Sequence, residues 1–169
     1  MNTNLKSIYH KVDLCVVGGG LAGMCAAVAA ARHGIKVALM HDRPVYGGNA
    51  SSEIRMWVCG AHGKNNRETG IIEEIALETL YRNPYRRYPM WDAILFELIN
   101  NEKNITPILN CSCNDIEMDG SKIKKVIGWQ TTTQCYHIIE AKLFADCSGD
   151  SILAPLSGAE YRWGRESQN

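Results

Sequence analysis

The feature that most constrains the fold is a run of glycines between an apolar stretch and a helix-forming stretch. Residues 18–23 read Gly-Gly-Gly-Leu-Ala-Gly and match the pattern G-x-G-x-x-G. They follow the apolar run 13–17 and lead into residues 21–33, whose Ala, Met and Leu side chains favour a helix. Residues 35–40 read as a second buried strand. This order predicts a βαβ unit with parallel strands and a right-handed crossover.

The glycine pattern also predicts a nucleotide-binding turn. Gly18 permits the tight bend, Gly20 lets backbone approach a pyrophosphate, and Gly23 lets the helix lie close to the strand. The unpaired amides at the helix start, with Leu21 and Ala22 in the first turn, would then face the phosphates. A glycine-rich turn without a ligand is the alternative. The strand before it and the helix after it favour the binding turn.

Two residues are candidates for binding the ribose of a nucleotide. The end of the second strand usually carries an acidic residue that binds the ribose hydroxyls. Here it carries His41, and Asp42 follows. An imidazole could bond a ribose hydroxyl, or Asp42 could do so if the strand ends one residue earlier. Arg43 comes next and would suit a 2′-phosphate, which keeps a dehydrogenase domain that uses NAD(P) as an alternative.

The rest of the chain predicts an α/β fold, a Rossmann-type parallel sheet with an inserted three-stranded antiparallel β-meander. A long segment without periodicity separates the βαβ unit from two amphipathic helical patterns. An Asp-Gly hairpin signal lies between two of the later strand patterns. Pro107 argues against a central position for its strand. The predicted elements are the aperiodic segment 41–67, helices around 72–80 and 91–99, a basic and aromatic connector 81–89, and strands 105–109, 115–118, 123–129, 135–140 and 143–147.

Composition excludes several classes of protein. The chain is 46% hydrophobic and 21% charged, which is typical of a globular domain. Its 18 basic and 18 acidic residues give no net charge, so we expect neither a nucleic-acid partner nor a polybasic membrane surface. Residues 14–31 carry no charge, but four glycines interrupt them, so we expect no membrane span. Seven cysteines without zinc-ligand spacing predict reduced thiols, no metal and a cytoplasmic location.

Four segments together resemble the N-terminal FAD-binding part of bacterial FAD-dependent oxidoreductases. These are flavoproteins with a glutathione-reductase-type Rossmann domain, related to succinate dehydrogenase and fumarate reductase. The four segments are 18–23, 43–52, the meander and 144–150. The resemblance implies FAD as the cofactor. It also implies a pyrophosphate near Gly47, Gly48 and Asn49, adenine at the backbone of Cys113, and close approach of the dinucleotide to Gly149 and Asp150.

The resemblance also implies a domain organisation. We expect an N-terminal tail at residues 1–10, an FAD-binding domain at 11–158, and the truncated start of a following region at 159–169. Such flavoproteins carry a substrate domain that we expect to be missing here, so the chain is predicted to be a fragment. An apolar surface would then be exposed to a missing domain or to an oligomer partner. A truncated, non-catalytic nucleotide-binding fragment is a further alternative.

The long segment holds polar residues that could act on a substrate of unknown identity. Arg55 could hold a carboxylate, and His62 could act as an acid or base near neutral pH. Local hydrogen bonding is the alternative for both, and for Ser51, Ser52 and Glu53. We therefore assign no catalytic residue from the sequence.

Overall fold

The chain folds into one mixed β-sheet with helices packed on it. The computed structural model describes residues 5–61, 64, 68–162, 164 and 165. The helix formers after the glycine turn build α1, and the apolar runs on either side build β1 and β2. The element bounds are β1 Ser7–Val17, α1 Leu21–Arg32, β2 Val37–Met40, a 3₁₀ turn Gly48–Ala50, α2 Ile71–Arg82, α3 Tyr88–Asn101, β3 Ile105–Ile108, β4 Cys111–Asp119, β5 Lys122–Gln130, β6 Cys135–Asp146 and α4 Leu153–Ser157.

The strand order is β3-β2-β1-β6-β5-β4. β1 lies parallel to both β2 and β6, and β2 lies parallel to β3. β4, β5 and β6 pair antiparallel. The predicted α/β fold, with a Rossmann-type parallel sheet and a three-stranded antiparallel meander, is confirmed. The two parts share β6, so they form one continuous sheet.

Two strands are longer than the sequence predicted. β6 is continuous, whereas the pattern predicted separate strands at 135–140 and 143–147. β1 begins at Ser7, and residues 7–12 pair with Tyr136 to Ala141 of β6. The predicted N-terminal tail at 1–10 is therefore wrong for residues 7–10. This part of β1 alternates between exposed and half-buried residues, so it lacks the apolar run that marks a buried strand.

Pro107 lies in an edge strand, as expected for a residue without a backbone N–H. β3 lies at one edge of the sheet, and among the described strands it pairs with β2 alone. Proline has no backbone N–H, so an edge strand accommodates it without loss of a ladder hydrogen bond. The hairpin predicted at Asp119-Gly120 is also present, because β4 ends at Asp119 and Gly120 adopts a φ of 59°.

The core has two layers, one on each face of the sheet. Val16 and Leu39 pack on one face with residues of α1 and α3, including Val28 and Leu95. The alternate strand positions, such as Val17 of β1 and Met40 of β2, pack on the other face against β4, β5, β6 and α4. This division follows from the two-residue period of a strand. Because β1, β2 and β6 are parallel, their carboxyl ends lie at the same edge of the sheet, and the loops that follow them meet there.

None of the helices in the described ranges is long and apolar enough to cross a bilayer.

Candidate functional site

The turn between β1 and α1 depends on two glycines for its packing. Gly18 has a φ of 108°, and a Cβ atom there would overlap the carbonyl group of Cys147. A Cβ atom on Gly23 would overlap the carbonyl oxygen of Gly18 and lie 3.1 Å from the Cβ of Cys147. Gly18 and Gly23 therefore let β1, α1 and the end of β6 come together, which is a requirement of folding.

Gly20 meets a different requirement. A Cβ atom on Gly20 would have Gly48 Cα as its nearest neighbour, at 4.0 Å, and Gly20 itself has an extended backbone with φ −66° and ψ 174°. Gly20 is the N-cap of α1, and no side chain caps that helix or places an acidic group in its first turn. The first N–H groups of a helix have no intrahelical acceptors and carry partial positive charge. The turn thus offers an anion several donors and an open approach.

A second glycine segment lies against the first. Gly47 N donates a hydrogen bond to Gly19 O at 2.9 Å, and Gly20 and Gly47 form an isolated parallel bridge. Gly47 and Gly48 have φ values of 108° and 57°. A Cβ atom on Gly48 would lie only 3.1 Å from Gly20 Cα. The two segments therefore form one continuous backbone surface.

A third segment, after β6, completes this surface. Cys147 N donates to Val17 O at 2.7 Å, which ties the segment to the end of β1. Asp146 accepts hydrogen bonds from Ser148 N, Ser148 Oγ and Leu153 N at 3.1, 2.6 and 2.8 Å. Gly149 then turns with a φ of 85°. Sequence reasoning placed Asp146 in a motif but did not identify it as the residue that organises this turn.

The three segments enclose a cavity of about 520 Å³ at the carboxyl ends of β1, β2 and β6. Most of the predicted site residues line it: Gly18, Gly20, Leu21, Ala22, His41, Asp42, Arg43, Gly47, Gly48, Asn49, Gly149 and Asp150. Gly23 packs beneath it. The sequence did not identify Ala50, Met56, Trp57, Val58, Cys147 and Ser148, which also line it. Trp57 is 70% exposed and gives one wall an aromatic surface.

Cys113, like Gly23, is a predicted site residue that does not line the cavity, and it lies away from the glycine turn. It lies buried in β4, in the core layer that includes Cys15 and Cys111. Burial raises the pKa of its thiol to about 11, so the thiol is protonated at neutral pH. The pairing of β4 with β5 shifts register between Cys113 and Asp115. The expected contact with adenine involves the backbone of Cys113, and it stays a prediction.

The two candidates for the ribose lie in different surroundings. His41 is 4% exposed, and its Nδ1 accepts a hydrogen bond from Gly19 N at 3.0 Å. Its Nε2 is buried without a hydrogen-bond partner among the described residues. Burial lowers the pKa of His41, and this effect is larger than the opposing attraction of Asp42. The Asp42 side chain is 62% exposed and available to a ligand.

The polar residues of the loop after β2 mainly form hydrogen bonds and ion pairs with nearby protein groups. Arg55 Nε donates to Ser52 O at 3.0 Å, and the Arg55 guanidinium lies 5.6 Å from the ring centroid of Tyr88. Tyr88 Oη donates to Arg55 O at 2.8 Å. Glu53 forms an ion pair with Arg43 at 3.5 Å. Arg55 does not line the glycine cavity, and His62 lies outside the described residues.

A second cavity, of about 610 Å³, lies between α2, α3 and the loop. It shares Ala50, Trp57 and Val58 with the glycine cavity, but its lining is mostly apolar. Thr79 Oγ1 and Trp91 Nε1 are buried there without hydrogen-bond partners among the described residues. We take the smaller cavity as the candidate site because glycine backbone, the uncapped start of α1 and polar side chains converge on it.

Comparison with known proteins gives one family and a set of structural neighbours. The sequence model of a family described as FAD dependent oxidoreductase matches residues 13–169. Glycerol-3-phosphate dehydrogenase of Mycobacterium leprae is 35% identical over 69 residues, which is 41% of this chain and 12% of that protein. The chain therefore spans a small part of the curated relatives it matches.

Two solved structures illustrate the shared fold. One is the glycerol-3-phosphate dehydrogenase of Bacillus halodurans complexed with FAD, with a TM-score of 0.56 and 15% identity over 87% of this chain and 36% of that one. The other is the L-proline dehydrogenase of P. horikoshii, with a TM-score of 0.53 and 20% identity over 85% of this chain and 23% of that one. At these identities the likeness shows the fold alone.

Proposed function

Because the chain belongs to the FAD dependent oxidoreductase family, we propose that its glycine-lined cavity binds the ADP half of FAD. The convergence of three backbone segments on the uncapped start of α1 carries this proposal. A diphosphate needs many N–H donors and a surface without side chains, and Gly20 and Gly48 supply that surface. The residues present therefore fit the cofactor that the family description names.

Each lining segment has a proposed role. The amides of Leu21 and Ala22 and those of Gly47, Gly48 and Asn49 would donate to the pyrophosphate. Gly149 and Asp150 would lie beside the dinucleotide. The adenine contact at the Cys113 backbone has less support, because Cys113 is absent from the cavity lining.

For the ribose we favour Asp42 over His41. A carboxylate accepts hydrogen bonds from two adjacent hydroxyl groups, and that of Asp42 is exposed. His41 Nδ1 already accepts from Gly19, and its Nε2 is shielded by protein.

FAD, when bound, supplies hydride or one-electron chemistry, and the protein positions it and shields it. We propose that the family's oxidoreductase activity requires protein beyond these residues, since the relatives are several times longer. Residues 11–158 would be the FAD-binding domain, extended at its start to Ser7, and 159–169 would begin a following region. The substrate would be a small molecule, consistent with the dehydrogenases among the relatives.

The surroundings of Arg43 favour FAD over NADP(H). A residue that binds a 2′-phosphate needs an unpaired positive charge at the ribose. The Arg43 guanidinium lies 3.5 Å from the carboxylate of Glu53 and is partly neutralised by it. This ion pair would compete with a phosphate for the same donors.

Two further proposals concern the setting of the protein. Large apolar side chains are exposed on and after α2, including Leu77, Leu80, Tyr81 and Tyr85. We propose that this surface packs against a further domain or another copy of the chain. We also propose a cytoplasmic location, because each cysteine in the chain is a free thiol, and these include the exposed Cys59.

Titration of the purified chain with FAD tests the cofactor proposal. Isothermal titration would compare the wild type with Gly20→Val, which fills the approach to the helix start. Gly120→Asn is the matched control, because it alters a remote hairpin glycine whose φ of 59° asparagine tolerates. We expect Gly20→Val to abolish binding and Gly120→Asn to retain it. Equal affinity in all three proteins, or binding of NADPH in preference to FAD, would refute the proposal.

A further inference from the structure

Gly19 ties the first glycine segment to the chain that follows β2 through both of its backbone polar groups. Its carbonyl oxygen accepts from Gly47 N at 2.9 Å, and its N–H donates to His41 Nδ1 at 3.0 Å. Gly19 is buried, and a Cβ atom on it would lie 2.7 Å from His41 Cγ and 2.8 Å from Tyr46 Cδ1. The imidazole of His41 therefore packs directly on the turn that leads into α1.

The hydrogen bonds determine which ring nitrogen of His41 carries the proton. Gly19 N–H can donate only to an Nδ1 that has a free lone pair. With the proton on Nε2, one buried polar group, Nε2–H, lacks a partner. With the proton on Nδ1, the Gly19 N–H and the Nε2 lone pair would both be unsatisfied. Each unsatisfied buried polar group is destabilising, so the structure favours the neutral Nε2–H form.

Protonation of Nδ1 would change the partners on both sides of the ring. Asp42 Oδ1 lies 3.3 Å from Nδ1 and would accept the new N–H. The Gly19 N–H would lose its acceptor, and the turn would lose one of its two connections. The Asp42 carboxylate, which we propose as the ribose ligand, would be drawn to the ring. One proton would therefore weaken both ends of the proposed ADP site.

We propose that His41 is a positioning residue that must be neutral to hold the pyrophosphate turn in its binding shape, so that its protonation releases FAD. This inference rests on the proposed FAD site. It concerns the hydrogen bond between the His41 ring and Gly19 N, and it does not make His41 a ribose ligand.

The groups that face His41 set the pH range of this effect. Burial lowers the pKa of the ring and dominates. Asp42, the Val45 backbone and Glu53 oppose it, while Arg43 acts in the same direction as burial. Tyr46 stacks on the ring with centroids 6.0 Å apart, and burial raises the pKa of its phenol, so it stays neutral. The net lowering means that His41 becomes protonated only below about pH 6.5.

Measurement of FAD affinity against pH tests the proposal. If FAD binds only the neutral form, the apparent Kd rises about tenfold for each pH unit below the pKa of His41. His41→Asn is the matched control, because its amide oxygen takes the place of Nδ1 as an acceptor and does not titrate. Between pH 7.5 and 5 we expect the apparent Kd of His41→Asn for FAD to change much less than that of the wild type. His41→Leu removes the acceptor and should bind FAD weakly at every pH.

A second measurement needs no cofactor. The ¹⁵N chemical shifts of the His41 ring in the purified chain report its tautomer and its pKa directly. We expect a neutral ring protonated at Nε2 at pH 7.5, with a pKa below 6.5. A proton on Nδ1 at pH 7.5, or parallel affinity profiles for wild type and His41→Asn, would refute the role of His41. Failure of the wild type to bind FAD at pH 7.5 would instead refute the proposed function.

Discussion

Substitution of two glycines in the same turn should separate binding from folding. In Gly20→Ala the new methyl group meets no protein atom closer than 4.0 Å and lies on the approach to the helix start. In Gly23→Ala the methyl overlaps the carbonyl oxygen of Gly18 and lies 3.1 Å from Cys147 Cβ, so α1 must move away from β1. We expect the first change to affect FAD affinity and the second to affect stability.

The magnitudes follow from these surroundings. Gly20 has φ −66° and ψ 174°, which alanine adopts freely, so the free energy of unfolding should change by less than about 1 kcal/mol. The methyl would disrupt at least one N–H bond to a phosphate, worth about 1.5–3 kcal/mol, so the Kd should rise about 10- to 150-fold. Overpacking at Gly23 should cost at least about 1–3 kcal/mol of stability.

Urea denaturation followed by circular dichroism measures the stability effect, and isothermal titration measures the affinity. With an m-value of about 2 kcal/mol/M, the midpoint of Gly23→Ala should fall by roughly 0.5–1.5 M, and that of Gly20→Ala should stay within about 0.5 M of the wild type. The reasoning is wrong if Gly20→Ala binds FAD as tightly as the wild type. It is also wrong if both variants lose stability equally.

Three further predictions concern stability. Burial lowers the pKa of His10 and of His137, so the unfolded chain binds more protons than the folded one at acid pH. The urea midpoint should therefore fall as the pH drops below about 6.5. His10→Gln should reduce the dependence of the midpoint on pH, and an unchanged dependence would contradict the prediction. Asp146→Ala removes the acceptor of three hydrogen bonds and should cost about 1–2 kcal/mol by denaturation, with a smaller cost for Asp146→Asn. Arg32→Ala breaks a bidentate pair with Glu74, so the thermal midpoint should fall at low salt and approach that of the wild type in 1 M NaCl; a loss independent of salt would exclude the electrostatic explanation.

Local sequence patterns predicted the elements whose signal lies in consecutive residues. The βαβ unit, the Asp119-Gly120 hairpin and the edge position of Pro107 all belong to this class. The first half of β1 does not, because its partner is more than a hundred residues away and its own pattern is only weakly apolar. The single strand β6 was missed for the same reason, since its later residues pair with β1 and not with β5.

The site shows the same division. The glycines were recognisable because their spacing carries a physical requirement that few other patterns meet. The hydrogen bond from Gly19 N to His41 Nδ1 was not recognisable, because residue type alone does not show whether a ring faces a ligand or a backbone amide. The ion pair between Arg43 and Glu53, which we use to argue against a 2′-phosphate, was likewise not visible in the sequence.

The amino-acid sequence was enough to specify the βαβ unit and its glycine turn, because strand, turn and helix depend on contacts between residues close in the chain. The assembled fold was needed to show which glycines serve packing and which leave open space beside them. That distinction depends on atoms from the segments that follow β6 and β2, at Cys147 and Gly48. Close packing between distant segments leaves no periodic signal in the sequence, so these contacts become visible only when the sheet is assembled.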